Sequence, residues 1–357
     1  MRTLTHLCLL FLFAWGVRAQ PTYATFAPPG VVGGTPGTAG TFPTGINTGG
    51  TVAGYFSGAS ELWNGFIRTS DGTFTIVNAP GAGTVGGSGT LVLGINASGT
   101  TTGYYIDGEN YGFVRTADGT FTEFQAPGAE YCIGTQGTLS EAINDAGDVT
   151  GYYADRSCFV KGFVRTSAGA IITFAAPSAG TGTGSGTFPG SISDAGSVTG
   201  YYIDASGEYH GFVRGPTGTF TTFDAPGAGT LPGQGTLGES INSAGEVTGY
   251  YYDANNDLHG ILVAADGAVT TFDAPGSDNA TYGKAINAAG TVVGYYRDGF
   301  GVNRGFIRAA SGAFLEFNNA GAGDKGSFAT AISDGGTVTG NYMGPPREEF
   351  YGLLVTP

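Results

Sequence analysis

One motif is repeated seven times along this chain, and the spacing of the copies limits the folds that the chain can adopt. Its most regular part is a Gly-Tyr pair, which begins at Gly54, Gly103, Gly151, Gly200, Gly249 and Gly294 and persists as Gly-Asn-Tyr at Gly340. Successive copies lie 49, 48, 49, 49, 45 and 46 residues apart. Repeats of this length indicate four-stranded β-units rather than the helix pairs of a solenoid.

The copy around Ile241 shows the strands of one unit. Runs of strand-forming residues alternate with turn residues, which predicts strands A to D at 236–242, 246–252, 259–264 and 268–273. Gly245 and Gly267 supply the left-handed conformation that the tight A–B and C–D turns require. The proline of Ala-Pro-Gly at 274–276 then ends the sheet, and no segment shows a sustained helical period.

The two ends of the chain complement each other. Residues 22–28 read as a strand D without A, B or C, and residues 351–355 read as a strand C without D. We therefore predict an all-β, seven-bladed β-propeller with four antiparallel strands per blade, whose last blade is closed by the N-terminal strand. The predicted blades lie near 41–80, 90–127, 138–177, 187–226, 236–275, 281–320 and 327–357 plus 22–28.

The N-terminus predicts export. Arg2 precedes an apolar run at 7–15, and small residues precede Gln20, which is typical of a signal peptide (residues 1–19) cleaved near Ala19. A single domain would then span 20–357, in a secreted or cell-surface protein. No stretch is long enough to predict a membrane span.

The net charge of the chain limits the kinds of molecule that it can bind. The chain has 357 residues, of which only 12% are charged, and its formal net charge is -14. Such a chain repels phosphate backbones, so we expect neither nucleic acid nor an anionic membrane as partner. An extracellular glycan or protein remains, and we expect a monomer without cofactors. Glycine (67) and proline (16) are abundant, but 41% hydrophobic residues provide enough material for a core.

The repeat resembles the HAF-type extracellular repeat, a bacterial secreted repeat with a propeller-like fold. The resemblance covers 22–357 and rests on Gly45-Ile46-Asn47, Gly94-Ile95-Asn96, His210-Gly211-Phe212 and His259-Gly260-Ile261. Glycine replaces the middle alanine of the family's His-Ala-Phe, and most copies lack the histidine. The resemblance implies secretion and a repeat fold, and it implies no established activity.

Two cysteines remain after removal of Cys8 with the signal peptide. Cys132 lies in the D–A loop that enters the third blade, and Cys158 lies in the B–C loop of that blade. The topology places both loops on one face, so we predict a disulfide. The alternative is two separate loop thiols.

The loops predict where a ligand would bind. The A–B and C–D turns are short and alike, whereas the B–C and D–A loops, such as 82–90, 129–137 and 179–186, are long and varied. Variable loops on a rigid frame usually carry binding residues. The candidate binding residues are Asp204, His210, Asp253, Asp257, His259, Glu141, Glu239 and Lys284.

The histidines and one acidic loop can have either a functional or a purely structural role. His210 and His259, each near a loop aspartate, can bind a metal or act as acid–base groups, but they also occupy the family's repeat position. Asp253, Asn255 and Asp257 have the oxygen spacing of half a calcium loop. The required glycine and glutamate are missing, so a polar turn is favoured and no metal is expected.

Strand A is the inner strand of each predicted blade, and it carries the most unusual residues. Their fourth position holds Thr44, Leu93, Glu141, Gly190, Glu239, Lys284 and Thr330, and the next residue is always small. Lone buried charges are costly, so the charged members should reach a wet channel, either as solvated lining or as a catalytic set. Tyrosine pairs such as Tyr152-Tyr153 and Tyr250-Tyr251 follow the repeated glycine, and they indicate core between blades rather than sugar stacking. Aspartates such as Asp204 and arginines such as Arg214 also recur, which indicates turn caps or salt bridges.

No nucleophile triad, zinc spacing, phosphate loop or dinucleotide fingerprint is present. The favoured function is a non-catalytic propeller that binds an extracellular glycan or protein on its B–C/D–A face, with no catalytic residue. The alternative is a polysaccharide hydrolase or lyase that uses Glu141, Glu239, His210 or His259. The third hypothesis is a structural protein of the cell surface or extracellular matrix.

Overall fold

The computed structural model describes residues 21–31, 39–130, 132, 137–319, 321–323, 325–345 and 349–357. Within these ranges the chain forms 28 strands and no helix. The predicted signal peptide lies outside them, as does most of 131–136 in one predicted loop.

The strands fall into seven units of four. Unit 1 has β2 (Gly40–Ile46), β3 (Val52–Ser57), β4 (Asn64–Arg68) and β5 (Phe74–Val77). Unit 2 has β6 (Gly89–Ile95), β7 (Thr101–Asp107), β8 (Glu109–Arg115) and β9 (Phe121–Phe124). Unit 3 has β10 (Thr138–Ile143), β11 (Val149–Ala154), β12 (Val160–Arg165) and β13 (Ile171–Phe174). Unit 4 has β14 (Gly186–Ile192), β15 (Val198–Ile203), β16 (Tyr209–Arg214) and β17 (Phe220–Phe223).

The remaining units follow the same order. Unit 5 has β18 (Gly235–Ile241), β19 (Val247–Tyr252), β20 (Leu258–Val263) and β21 (Val269–Phe272). Unit 6 has β22 (Ser277–Ile286), β23 (Val292–Asp298), β24 (Asn303–Arg308) and β25 (Phe314–Phe317). Unit 7 has β26 (Ser327–Ile332), β27 (Val338–Gly344), β28 (Glu349–Thr356) and β1 (Thr22–Phe26). The four strands predicted around Ile241 are confirmed to within one residue at each end.

Unit 7 joins the two ends of the chain. Strand β1 pairs antiparallel with β28, with Phe26 opposite Gly352 and Thr25 opposite Leu353. This confirms the prediction that the N-terminal strand completes the last unit. The first strands of successive units contact one another, and β26 in turn contacts β2 of unit 1.

The turns between strands A and B show why this sequence forms hairpins. In unit 5 the Asn242 side-chain oxygen accepts hydrogen bonds from the amides of Ala244 and Glu246, and Gly245 adopts a φ of 84°. A left-handed residue is costly without glycine, so the Asn-x-x-Gly sequence fixes the turn. The Asn242 amide group also donates to the Asn287 carbonyl of unit 6, which ties the two units together.

The core lies between units. Phe212 and Ile261 are fully buried in the third strands of units 4 and 5, and Phe223 and Ala225 at the outer edge of unit 4 pack on Ile241 of unit 5. Since each sheet buries both faces against its neighbours, a single unit would leave most of this apolar surface in water.

The repeated arginines are not salt-bridged, but the turn-cap alternative holds, because Arg68, Arg165 and Arg214 each donate to the carbonyl of the next residue at the start of the C–D turn. The guanidinium of Arg214 lies 4.7 Å from the ring centre of Phe174 in unit 3, and Arg68 lies 5.0 Å from Phe26 of unit 7. Arg165 and Arg308 make the same contact with the preceding unit. None of them forms an ion pair with a residue in the described ranges. Their role is cation–π packing between units.

Candidate functional site

A cavity lies where the first strands of the seven units meet. It has a volume of about 310 Å³ and is lined by residues of β2, β6, β10, β14, β18, β22 and β26. We call it the inner-strand cavity. Its charged lining residues are Glu141, Glu239 and Lys284. This confirms that the three charges predicted from the inner strands share one space.

A β-bulge places these side chains. In every unit the pairing of strands A and B shifts by one residue, which leaves one unpaired residue on strand A. The unpaired residues are Thr44, Leu93, Glu141, Gly190, Glu239, Lys284 and Thr330. A bulge bends its strand and re-aims the extra side chain, and bulges are common beside functional sites. The sequence position with unusual charges is therefore the bulge position.

Isoleucines close the cavity toward the A–B turns. Ile46, Ile95, Ile143, Ile286 and Ile332 line it and also line a second space of about 170 Å³ on the turn side. Beyond them, asparagine side chains donate to the carbonyl of the next unit, as Asn47 does to Asn96 at 3.1 Å. The inner-strand cavity therefore lies on the B–C/D–A side of these isoleucines.

The three charged side chains in the cavity differ in whether they have a partner. Lys284 Nζ lies 2.7 Å from Glu239 Oε2 and 5.8 Å from the ring centre of Tyr250. Glu141 makes no hydrogen bond or ion pair with any residue in the described part of the chain. Burial, and next the charge of Glu239, raises the pKa of Glu141 to about 7. Glu141 can therefore be neutral or charged near physiological pH.

Replacing Glu141 with glutamine should stabilise the protein at high pH. The pKa is raised in the folded state, so the contribution of Glu141 to wild-type stability is greatest below pH 4.5 and is lost as the pH rises through 7. The full rise corresponds to about 3 kcal/mol, and contact with solvent in the cavity reduces this to about 1–2 kcal/mol. Urea unfolding at pH 5 and pH 8.5 checks the result. Equal wild-type and E141Q stability at pH 8.5 would contradict it.

Aromatic rings form a nearly continuous band around the inner strands on the B–C/D–A side. We call it the aromatic rim, and its neighbouring ring centres lie 4.6 to 6.3 Å apart. In order, its members are Trp63, Tyr55, Phe42, Phe350, Phe328, Tyr295, Tyr282, Tyr250, Tyr252, Tyr209, Tyr201, Phe188 and Tyr152. They come from units 3 to 7 and from unit 1. Neighbouring rings of the rim meet at each boundary between consecutive units in this series.

The tyrosine pairs divide between core and rim. The second member, such as Tyr153 or Tyr251, is buried as the sequence predicted. The first member, such as Tyr152 or Tyr250, is only half-buried and belongs to the rim. Sequence reasoning missed the rim residues Phe42, Phe188, Phe328 and Trp63. The available signal was an aromatic residue two positions before the bulge residue, at Phe42, Phe188, Tyr282 and Phe328.

The rim hydroxyls are neutral and free to bind. Burial raises the pKa of Tyr55, Tyr104 and Tyr152, and the charge of Glu141 raises it further. Tyr152 lies opposite Leu139 on the strand that carries Glu141. None of these hydroxyls donates to another residue within the described ranges. They can therefore act as donors or acceptors for a ligand.

The two histidines lie outside the cavity in matching environments. His210 Nδ1 lies 2.9 Å from Asp224 and its ring stacks on Tyr202, and His259 Nδ1 lies 2.9 Å from Asp273. The same position holds Lys161 in unit 3 and Arg304 in unit 6, where each pairs with the loop aspartate at 2.9 and 2.7 Å. Interchange with lysine and arginine favours a structural role for the histidines.

Loop aspartates cap the B–C turns. Asp204 accepts the amides of Ser206 and Glu208, and Asp253 accepts those of Asn255 and Asp257. Burial alone would raise the pKa of both aspartates, but these hydrogen bonds outweigh it and lower the pKa. The Asp253 loop therefore matches the polar-turn interpretation.

One group in the described ranges has the composition of a metal site. Ligand atoms of Asp204, Glu208 and His210 lie within 4.8 Å of one another, and sequence reasoning missed Glu208.

The predicted disulfide is confirmed. Cys132 and Cys158 are bonded, with their Cα atoms 5.5 Å apart. The bond ties the loop that enters unit 3 to that unit's B–C loop, on the side of the aromatic rim. A disulfide indicates an oxidising environment.

The B–C/D–A side also exposes apolar residues. Val85 is 69%, Leu231 is 61% and Phe300 is 93% exposed, and all three lie in its loops. Isolated exposed residues are common, but three on the face that carries the rim add apolar contact area around the cavity.

These elements define a β-propeller. The chain resembles the solved streptogramin B lyase, with 13% identity over 94% of this chain and 98% of that one and a TM-score of 0.56. Virginiamycin B lyase from Staphylococcus aureus is similar, with 14% identity over 95% and 99% of the two chains and a TM-score of 0.57. Aleuria aurantia lectin in complex with alpha-methyl-L-fucoside matches at 11% identity, 78% and 93% coverage and a TM-score of 0.47.

At these identities the likeness concerns the fold alone. No protein-family model and no curated protein matches the chain. Among the described residues, no helix is long and apolar enough to cross a membrane.

Proposed function

We propose that the seven units form one closed seven-bladed β-propeller. The β1–β28 pairing, the stacking of Arg68 on Phe26 and a 2.8 Å hydrogen bond from the Thr330 hydroxyl to the Pro43 carbonyl support this arrangement. The last contact is the counterpart of the bond from Thr44 to Val92 between units 1 and 2. Unit 7 therefore meets unit 1 through contacts that recur between other units.

We infer that the protein is a secreted carbohydrate-binding propeller without catalysis, and that its site is the aromatic rim above the inner-strand cavity. The observation that carries this proposal is the rim itself. Rings with an apolar face and a polar edge suit the apolar faces and hydroxyl edges of sugar rings. The cavity adds ionisable groups that can fix orientation, as in small-molecule sites generally.

The remaining expectations are consistent with this proposal. The signal-peptide pattern at 1–19 and the disulfide support export, and the resemblance to HAF-type repeats implies the same location. The net charge of -14 disfavours nucleic acid. A glycan suits an extracellular protein whose site combines an aromatic rim with a few ionisable groups better than a polyanion does.

A glycan array should show saturable binding to a defined set of sugars. Replacing the rim residue Phe188 with alanine should weaken that binding by about tenfold, since stacking contacts are worth about 1 kcal/mol or more. Ile172→Ala is the matched control, because Ile172 is 50% exposed on the outer strand of unit 3. An array without signal would support a structural role instead, and equal loss in both variants would place the ligand elsewhere.

An enzyme that cleaves polysaccharide is the second candidate. Glu141, with a pKa near 7, shares the cavity with a second carboxylate, Glu239. Glycosidases use a carboxylic acid of raised pKa together with a second carboxylate. Incubation with plant and microbial polysaccharides would reveal new reducing ends or unsaturated products. Product formation that is abolished by Glu239→Gln would replace the binding proposal, and binding without products would support it.

A further inference from the structure

We propose that the inner-strand cavity selects a terminal amino sugar with a free ammonium group, which binds the carboxylate of Glu141. This inference rests on the proposed carbohydrate-binding function. It adds the chemical class of the sugar that enters the cavity.

The charge arrangement leaves one carboxylate for a ligand. Lys284 neutralises Glu239 at 2.7 Å, whereas Glu141 has no partner in the described part of the chain. The Glu141 side chain is half-buried in the cavity lining, and the partial loss of water around it disfavours the charged form and raises its pKa to about 7. A ligand that brings a cation to Glu141 would stabilise the charged form, and a neutral ligand would not.

The surroundings of Glu141 suit an organic cation. Glu141 lies on β10, whose partner strand β11 carries the rim residue Tyr152, and the charge of Glu141 raises the pKa of Tyr152, Tyr104 and Tyr55. Ring faces attract ammonium groups, most strongly where water is excluded. The net charge of -14 attracts cations from solution as well.

A divalent metal fits the cavity less well. Calcium and magnesium need several oxygen ligands, and Glu141 is the one carboxylate in the described lining that is not already paired. The hydroxyls of Thr44 and Thr330 donate to backbone carbonyls of neighbouring units. One unpaired carboxylate in a lining of small, hydroxyl and aliphatic side chains favours a monovalent organic cation.

The size of the cavity favours one sugar ring. Its volume of about 310 Å³ is at the lower end of small-molecule sites, and the isoleucines close its far side. A chain end can therefore enter it, while the following sugars contact the aromatic rim. A lysine side chain would bring the same charge, but it would leave the hydroxyls of the rim without polar partners.

Two oligosaccharides that differ only in acetylation test the inference. Titration calorimetry at pH 7 would compare a hexamer of glucosamine with a hexamer of N-acetylglucosamine. We expect the wild type to bind the free amine about ten- to hundredfold more tightly, the effect of one charged hydrogen bond. In E141Q the two affinities should agree within about threefold. E208Q, which removes a carboxylate from the loop outside the cavity, should keep the preference.

The pH dependence provides a second readout. Protonation of Glu141 removes the carboxylate, so wild-type affinity for the glucosamine hexamer should fall as the pH drops below about 7. In E141Q this dependence should disappear. Equal affinity of the wild type for the two hexamers, or an unchanged preference in E141Q, would overturn the inference. Equally tight binding of lysine oligomers would overturn it too, because the site would then recognise the amine alone.

The outcomes separate this inference from the proposed function. Binding of neutral glycans without an ammonium preference refutes the amino-sugar inference and leaves carbohydrate binding intact. Absence of binding to either hexamer and to every glycan on the array refutes both.

Discussion

Phe26→Ala should lower the free energy of unfolding by about 3–4 kcal/mol, the usual cost of removing a buried phenylalanine ring. Phe26 is 8% exposed, and its ring lies 6.2 Å from Phe66 and 6.1 Å from Phe74 of unit 1. Arg68 also packs on it at 5.0 Å. One side chain near the N-terminus therefore holds the completed unit 7 against unit 1.

Denaturant unfolding of the two proteins measures this loss. Phe300→Ala is the control, because Phe300 is 93% exposed and its removal should change stability by less than about 0.5 kcal/mol. If Phe26→Ala and Phe300→Ala had the same small effect, β1 would not contribute to closure. The proposal of a closed propeller would then lose its main support.

Replacing both Cys132 and Cys158 with serine should cost about 3 kcal/mol. The two residues are 26 positions apart, and loop-closure entropy for a loop of this length gives that magnitude. The larger part of the effect arises because the disulfide restricts the unfolded chain.

Thermal unfolding with and without a reductant separates this effect from local strain. Reduction should lower the Tm of the wild type to that of the double variant and leave the double variant unchanged. A wild-type Tm that does not respond to complete reduction would show that the bond adds no stability. The loops that it ties would then be held by their other contacts.

The repeat allowed most of the fold to be predicted from the sequence. Strand positions follow from local patterns, namely β-branched and aromatic runs between glycine turns, and local patterns do not need knowledge of neighbours. The complementary ends at Phe26 and Leu353 were recognisable because each is a fragment of the same repeat. The pairing of Cys132 with Cys158 followed from that topology together with the count of cysteines.

The contacts between units could not be predicted in the same way. Arginines such as Arg214 were assigned to turn caps or salt bridges, because a sequence does not show that Phe174 of the preceding unit covers the guanidinium. Core was favoured over sugar stacking for the tyrosine pairs, because both faces of a unit are packed. The first tyrosine lies beside the inner edge, where packing ends and the rim begins.

The candidate site was predicted in part. Glu141, Glu239 and Lys284 were recognised as outliers at one repeat position, but the bulge that brings them to one cavity appears only in the strand pairing. His210 and His259 were grouped with them by residue type. The structure instead places the histidines at the start of the third strands of units 4 and 5, where they pair with aspartates as Lys161 and Arg304 do in units 3 and 6.

The fluorescence of Trp63 tests most directly whether a ligand binds at the aromatic rim. The sequence has two tryptophans, Trp15 and Trp63, and Trp15 lies in the predicted signal peptide. Trp63 stacks edge-on against Tyr55 in the rim, with the ring centres 5.5 Å apart. Titration with a glycan identified on the array should change the Trp63 emission with the same Kd as calorimetry. Calorimetric binding of that glycan with unchanged Trp63 emission would contradict the account.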